Sequence, residues 1–133
     1  MQGIVEFLFP APAARDPVAI VRWWERRRVT YNVMVGAAGL FTLGTIQLVT
    51  WLPGSPPAIL DWRPVVAFGV MANVCYLLGP ATEIALEKLW GRKVLPAGPT
   101  LYRLGLTYSV GLALFPALLV VLFTLLRLVL WIV

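Results

Sequence analysis

Residues 104–127 read LGLTYSVGLALFPALLVVLFTLLR, an apolar stretch with no charged side chain before Arg127. At about 1.5 Å rise per residue, a helix of this length crosses the roughly 30 Å hydrocarbon core of a bilayer. A barrel strand would need only about 9 to 11 residues of alternating apolar and polar character, whereas this stretch is apolar on every face. Because nothing polar near Pro116 would satisfy a reversed backbone in lipid, we expect one kinked helix rather than two re-entrant halves.

Two further apolar stretches precede it, at residues 29–52 and 64–86, and segments rich in Pro and Gly separate the three stretches. The whole chain is 60% hydrophobic and 13% charged, and its mean hydropathy is +0.85. An ordinary soluble domain carries about 25% charged residues and could not cover three such stretches. We therefore predict an all-α, polytopic integral membrane protein whose residues 29–133 form a domain of three transmembrane helices.

Residues 1–28 differ from the rest, since they mix polar and aromatic side chains and end in the run RWWERRR at positions 22–28. Asp16 followed by Pro17 predicts a helix start, because an N-cap side chain precedes a residue whose missing N–H costs nothing there. We expect an N-terminal interfacial amphipathic helix that turns into the first span; the alternative is one long helix extending into solvent. The expected interfacial anchors are Trp23, Trp24, Arg26, Arg27 and, at the other end of the chain, Trp131.

Basic residues are distributed unequally about the predicted spans. Five precede the first span and four follow the second, which makes nine, against only Arg63 and Arg127 on the other side. Positive charge favours the inner side, so we expect a cytoplasmic N-terminus, an outer loop near Ser55, an inner loop near Lys93 and an outer C-terminus. No cleavable signal peptide is evident, and we expect a bacterial inner (cytoplasmic) membrane. Topology and anionic lipid then explain the net charge of +5 without a nucleic-acid partner.

The composition also excludes much chemistry. With no histidine and the single cysteine Cys75, the chain has no means of forming a usual zinc site, a histidine-ligated haem or an internal disulfide. Nucleotide-binding and hydrolase patterns are missing as well. We expect no catalytic residues, no cofactor and no metal, and we interpret Cys75 as a small packing residue.

Polar and small residues recur at helical spacing within the predicted spans. Polar groups inside a membrane usually face protein or water, and small residues let helix backbones approach closely. The candidate intramembrane polar cluster comprises Arg28, Asn32, Asn73, Tyr76 and Glu83. The candidate helix-packing residues are Gly36, Gly39, Gly105, Ser109, Ala113 and Ala117. Within the polar cluster we expect Glu83 to pair with Arg28 or Arg27, because a carboxylate and a guanidinium at one depth should neutralise each other.

These patterns leave three classes of function open. The favoured class is a non-catalytic subunit, scaffold or assembly factor of a larger membrane complex, associating with other transmembrane subunits or with itself. The second is a small homo-oligomeric channel, transporter or pore-forming effector that uses the inner-half polar cluster around Glu83. The third is a membrane enzyme or quinone site that uses interfacial Arg, Tyr, Trp and Glu side chains; it is the weaker class, because the sequence offers no proton carrier apart from Glu83.

Overall fold

The computed structural model describes residues 16–55, 57, 61–90 and 97–132, and the regular structure in these ranges is helical. The helices are α1 (Pro17–Thr50), α2 (Arg63–Tyr76), α3 (Leu78–Trp90) and α4 (Gly98–Ile132). Because α2 and α3 follow each other with one residue between them, the described chain has three helical stretches long and apolar enough to cross a membrane. The predicted all-α fold with three such stretches is confirmed. Residues 1–15 of the predicted N-terminal segment lie outside the described residues.

Helix α1 is continuous from Pro17 to Thr50, so the expectation of a separate interfacial helix that turns near residue 28 is wrong. The alternative of one long helix is correct, although its first turns do not extend freely into solvent. Ile20, Trp23 and Trp24 are buried there, as are Tyr31 and Val35 further along the helix. Burial of these side chains against protein removes any need for this segment to turn and lie along lipid.

The second stretch is interrupted at Leu77, between α2 and α3. The amide of Leu77 bonds to the carbonyl of Val74 at 3.1 Å, a tighter i−3 turn, and the i−4 pattern resumes with Ala81 and Leu77 at 3.3 Å. Pro80 explains the interruption, since it has no N–H to donate to the carbonyl of Tyr76. The predicted span of residues 64–86 is therefore two helical segments, reaching from Arg63 to Trp90.

Helix α4 begins at Gly98, earlier than the expected residue 104, and runs to Ile132 without interruption at Pro116. Pro99 is tolerated in the first turn because the first amides of a helix have no partner within it. The prediction of a single helix through Pro116 is confirmed. At 34 residues for α1 and 35 for α4, each helix is about 50 Å long.

Helices α1 and α4 pack along a seam that small and hydroxyl-bearing residues line. The hydroxyl oxygens of Tyr31 and Ser109 lie 2.7 Å apart, and the hydroxyl of Thr42 donates to the carbonyl of Ala113 at 2.6 Å. Ser109, Ala113 and Ala117 are all buried. This half of the predicted helix-packing set therefore packs within the chain, where the absence of bulky side chains lets the two helices approach.

Candidate functional site

Glu83 on α3 is buried, with only 4% of its surface exposed. The indole N–H of Trp24 donates to Glu83 Oε2 at 2.7 Å. The carboxylate also lies against the first residue of α4, because a Cβ built on Gly98 would be 2.5 Å from Oε2. A helix N-terminus carries partial positive charge, which favours a carboxylate there. Glu83 thus joins α1, α3 and α4.

The expected pairing of Glu83 with Arg28 or Arg27 is wrong. Arg28 instead forms an ion pair with Glu25 at 2.7 Å on its own helix. Arg27 lies over the ring of Trp23, with 4.0 Å between its guanidinium carbon and the ring centroid. The physical reason is desolvation, because the short neutral indole reaches the buried carboxylate without carrying a second charge into the interior.

Five aromatic side chains form what we call the aromatic cluster, defined as Trp23, Trp24, Tyr31, Tyr76 and Tyr102, all of them buried. Trp24 and Tyr76 meet edge to face with 5.3 Å between ring centroids, and Tyr31 and Tyr76 are 4.6 Å apart. Trp23 and Trp24 therefore pack against protein, and their role as interfacial anchors stays a prediction. Burial of these rings stabilises the junction of the helices, and edge-to-face pairing adds to that stabilisation.

The tyrosine hydroxyls of the aromatic cluster bind backbone carbonyls on neighbouring helices. Tyr76 donates to the carbonyl of Trp24 at 2.6 Å, and Tyr102 donates to that of Arg27 at 3.4 Å. Tyr31 donates to a carbonyl of α2, that of Ala72, at 3.2 Å. These bonds hold α1 against α2 and α4, which is a structural use of the hydroxyls.

The candidate polar cluster divides into two sites. Tyr76 and Glu83 belong to the interior around Trp24, whereas Asn32 and Asn73 meet on the surface between α1 and α2. The amide nitrogen of Asn73 donates to Asn32 Oδ1 at 2.9 Å and to the carbonyl of Gly69 at 3.0 Å. An open groove of about 550 Å³ adjoins this amide pair, and its lining residues are Arg28, Val66, Gly69, Val70, Asn73, Val74 and Leu77.

The glycines among the expected packing residues differ from Ser109, Ala113 and Ala117. Beyond its neighbouring residues and the backbone of its own helix, a Cβ built on Gly36, Gly39 or Gly105 would have nothing within 4 Å in the described part of the chain. The same holds for Gly69 on α2. These glycines therefore do not pack inside the chain, and the helices present their narrow sides outward at these positions.

Sequence reasoning missed two contacts between distant residues. Trp24 and Glu83 are 59 positions apart, and no motif signals their pairing. Arg127 donates to the carbonyl of Gly54 at 2.9 Å and to the hydroxyl of Ser55 at 2.9 Å, more than 70 positions earlier in the chain. Of the other expected anchors, Arg26 is exposed, and Trp131 is 87% exposed.

Among residues 16–55, 57, 61–90 and 97–132, no group of three or more His, Cys, Asp or Glu side chains could hold a metal ion. Cys75 is a free, exposed thiol, so this small residue does not pack inside the described part of the chain. Comparison of the chain with protein-family models, with curated proteins and with solved structures found no match.

Proposed function

We propose that the protein is an integral membrane protein of a bacterial cytoplasmic membrane, with α1, the α2–α3 pair and α4 crossing the bilayer. Large apolar side chains on all three helical stretches support this, such as Phe41 at 65%, Val70 at 60% and Leu118 at 63% exposure. In water these surfaces would form an apolar patch far larger than a soluble monomer tolerates. The basic residues support an inner N-terminus and an outer C-terminus.

Within that membrane we propose a non-catalytic role, as a subunit or scaffold of a larger complex that binds other transmembrane helices. The observation that carries the proposal is the set of glycines at which an added Cβ would meet nothing within 4 Å in the described chain beyond its neighbouring residues and the backbone of its own helix, including Gly36, Gly69, Gly105 and Gly111. Lipid gains little contact at such positions, whereas another helix can approach closely and gain dispersion energy along the groove.

The interior polar groups support this role, since their bonds join helices. The Glu83 carboxylate accepts the Trp24 indole N–H, and Tyr76 bonds a backbone carbonyl. A channel or transporter around Glu83 is the alternative. It is less well supported, because the Asn32–Asn73 pair lies on the surface, apart from Glu83, so the polar residues do not line one path.

The test is the native mass and composition of the protein after extraction from its own membrane in mild detergent. We expect a stable assembly, and we expect Gly105→Leu to weaken it by closing an approach surface. Leu118→Phe is the matched control, because it enlarges an exposed side chain that is already bulky. A chain that is strictly monomeric and recovers no partner would contradict the proposal. A Glu83→Gln variant that keeps its stability but loses a measured ion or proton current would favour the alternative.

A further inference from the structure

The surface amide pair of Asn32 and Asn73 carries hydrogen-bonding capacity that the chain does not use. Both N–H groups of the Asn73 amide have acceptors, namely Asn32 Oδ1 and the carbonyl of Gly69. Within the described ranges, two groups are left without a partner: the amide N–H pair of Asn32, and Oδ1 of Asn73. One is a donor and the other an acceptor.

This capacity lies on an apolar surface. Asn32 is exposed, and Val33 next to it in the chain is 65% exposed. Val66 and Val70 line the groove beside Asn73 and are 52% and 60% exposed. In hydrocarbon no water is present to bind these amide groups, and an unsatisfied polar group there costs several kcal/mol. A polar partner is therefore needed on this surface.

The same surface also leaves room for another helix to approach closely. Gly36 lies one helical turn after Asn32, and Gly69 lies one turn before Asn73. Neither glycine would bring a Cβ within 4 Å of any other part of the described chain. We call the surface formed by Asn32, Gly36, Gly69 and Asn73 the amide face. It combines small residues with a free donor and a free acceptor.

We propose that two copies of this chain associate through their amide faces, with the Asn32 amide N–H of each copy donating to Oδ1 of the partner's Asn73. The inference rests on the proposed function only in requiring that the chain spans a membrane. Donor and acceptor lie at one depth, because Asn32 and Asn73 bond each other. A two-fold axis along the membrane normal preserves both depth and direction of insertion, so it brings each donor to the other copy's acceptor.

A second copy suits the face better than an unrelated helix does. An unrelated helix would need a donor and an acceptor of its own at matching positions, whereas the amide face is complementary to itself. Two reciprocal bonds form in one step, and they use one N–H of each Asn32 amide and the Oδ1 of each Asn73. Gly36 and Gly69 allow the backbones to come near enough for the amides to meet.

The full chain in lipid nanodiscs or proteoliposomes tests the inference, with dimerisation followed by energy transfer between labelled copies as the protein-to-lipid ratio is varied. Asn32→Leu removes the donor from both reciprocal bonds. We therefore expect a weaker dimer, which needs a protein-to-lipid ratio roughly tenfold to a hundredfold higher than the unaltered chain to reach half-dimerisation. Gln47→Leu is the matched control, since it removes another amide of α1 whose nitrogen lies near Thr50 of its own helix; we expect its dimer to be unchanged. Unchanged dimerisation of Asn32→Leu would overturn the inference.

Cysteine cross-linking keeps the test decisive if Asn32→Leu fails to fold. In a Cys75→Ala background, copies carrying Gly36→Cys are mixed with copies carrying Gly69→Cys, and we expect a cross-link between them that Gly111→Cys on α4 does not form. Equal cross-linking through Gly111→Cys would contradict the proposed face. A chain that is monomeric in lipid but recovers foreign transmembrane partners would overturn the second copy as occupant while leaving the proposed function intact. A chain that associates neither with itself nor with any other protein would contradict both the proposed dimer and the proposed function.

Discussion

The indole of Trp24 is restricted on two sides of its ring system. Its N–H bonds Glu83, and a Cβ built on Gly79 of α3 would run into its six-membered ring. Only glycine at position 79 therefore lets α3 come near enough for the carboxylate to be reached. The donor in this contact is neutral, so the indole gives the carboxylate a hydrogen bond without burying a second charge.

We expect Trp24→Phe to destabilise the folded protein by about 2–4 kcal/mol, because it leaves the Glu83 carboxylate without its donor and reduces packing. Glu83→Gln should cost less, since an amide oxygen still accepts the indole N–H. The measurement is the free energy of unfolding in mixed micelles. Trp51→Phe serves as the control, because Trp51 is 74% exposed, and it should change stability by less than about 0.5 kcal/mol. Equal effects of the two Trp→Phe substitutions would contradict the importance of the bond.

The seam between α1 and α4 shows how two long apolar helices are held in one register. An apolar helix face gains nearly as much from contact with lipid as from contact with another helix. Hydrogen bonds and small residues therefore decide how the two helices fit together. Tyr31 with Ser109 and Thr42 with Ala113 lie along this seam. Sliding either helix by one residue would break both contacts.

Thr42→Val tests the seam, because it keeps the shape of the side chain and removes its hydroxyl. We expect a loss of about 0.6–2 kcal/mol in the free energy of unfolding, the range for hydrogen bonds between membrane helices. Thr45→Val is the matched control, since the Thr45 hydroxyl bonds Phe41 of its own helix, and its effect should be smaller. A Thr45 effect as large as that of Thr42 would show that the interhelical bond is unimportant.

The three long helical stretches were predictable from the sequence, because the length of an apolar segment can be read from the segment itself. The seam residues Ser109, Ala113 and Ala117 were found for the same reason, since their spacing of four places them on one helical face. The partners of Glu83 and of the two tryptophans were not predicted. An indole next to arginines suits a lipid interface and a protein interior equally well, and only the fold brings Gly79 and Glu83 to Trp24. Likewise, spacing identified Gly36 and Gly105 as small residues without showing whether they face inward or outward.

Different contacts join the helices at the two ends of the molecule. At one end the aromatic cluster and Glu83 join the first turns of α1 with α3 and the start of α4. At the other end Arg127 binds the turn after α1, at Gly54 and Ser55. The exposed basic residues at positions 22, 26 and 103 lie toward the first end, which is the end that we expect to face the cytoplasm.

Labelling of single cysteines tests this orientation. In a Cys75→Ala background, Asp61→Cys should react with a membrane-impermeant maleimide from outside, and Lys88→Cys only after the membrane is permeabilised. Both positions are exposed in the structure, so lack of reaction will reflect the membrane rather than burial. Replacing Cys75 is required because its own thiol is exposed. Labelling of Lys88→Cys from outside the intact membrane would contradict the proposed orientation.

The burial of Trp23 and Trp24 divides the six tryptophans of the chain into two optical classes. These two are 8% and 2% exposed, whereas Trp51, Trp62, Trp90 and Trp131 range from 58% to 87%. If the chain spans a membrane as proposed, we expect quenchers carried on acyl chains or headgroups to reach the second class and not the first. We expect the emission that survives such quenchers to come from the junction of α1, α3 and α4, so that these two tryptophans report on that junction.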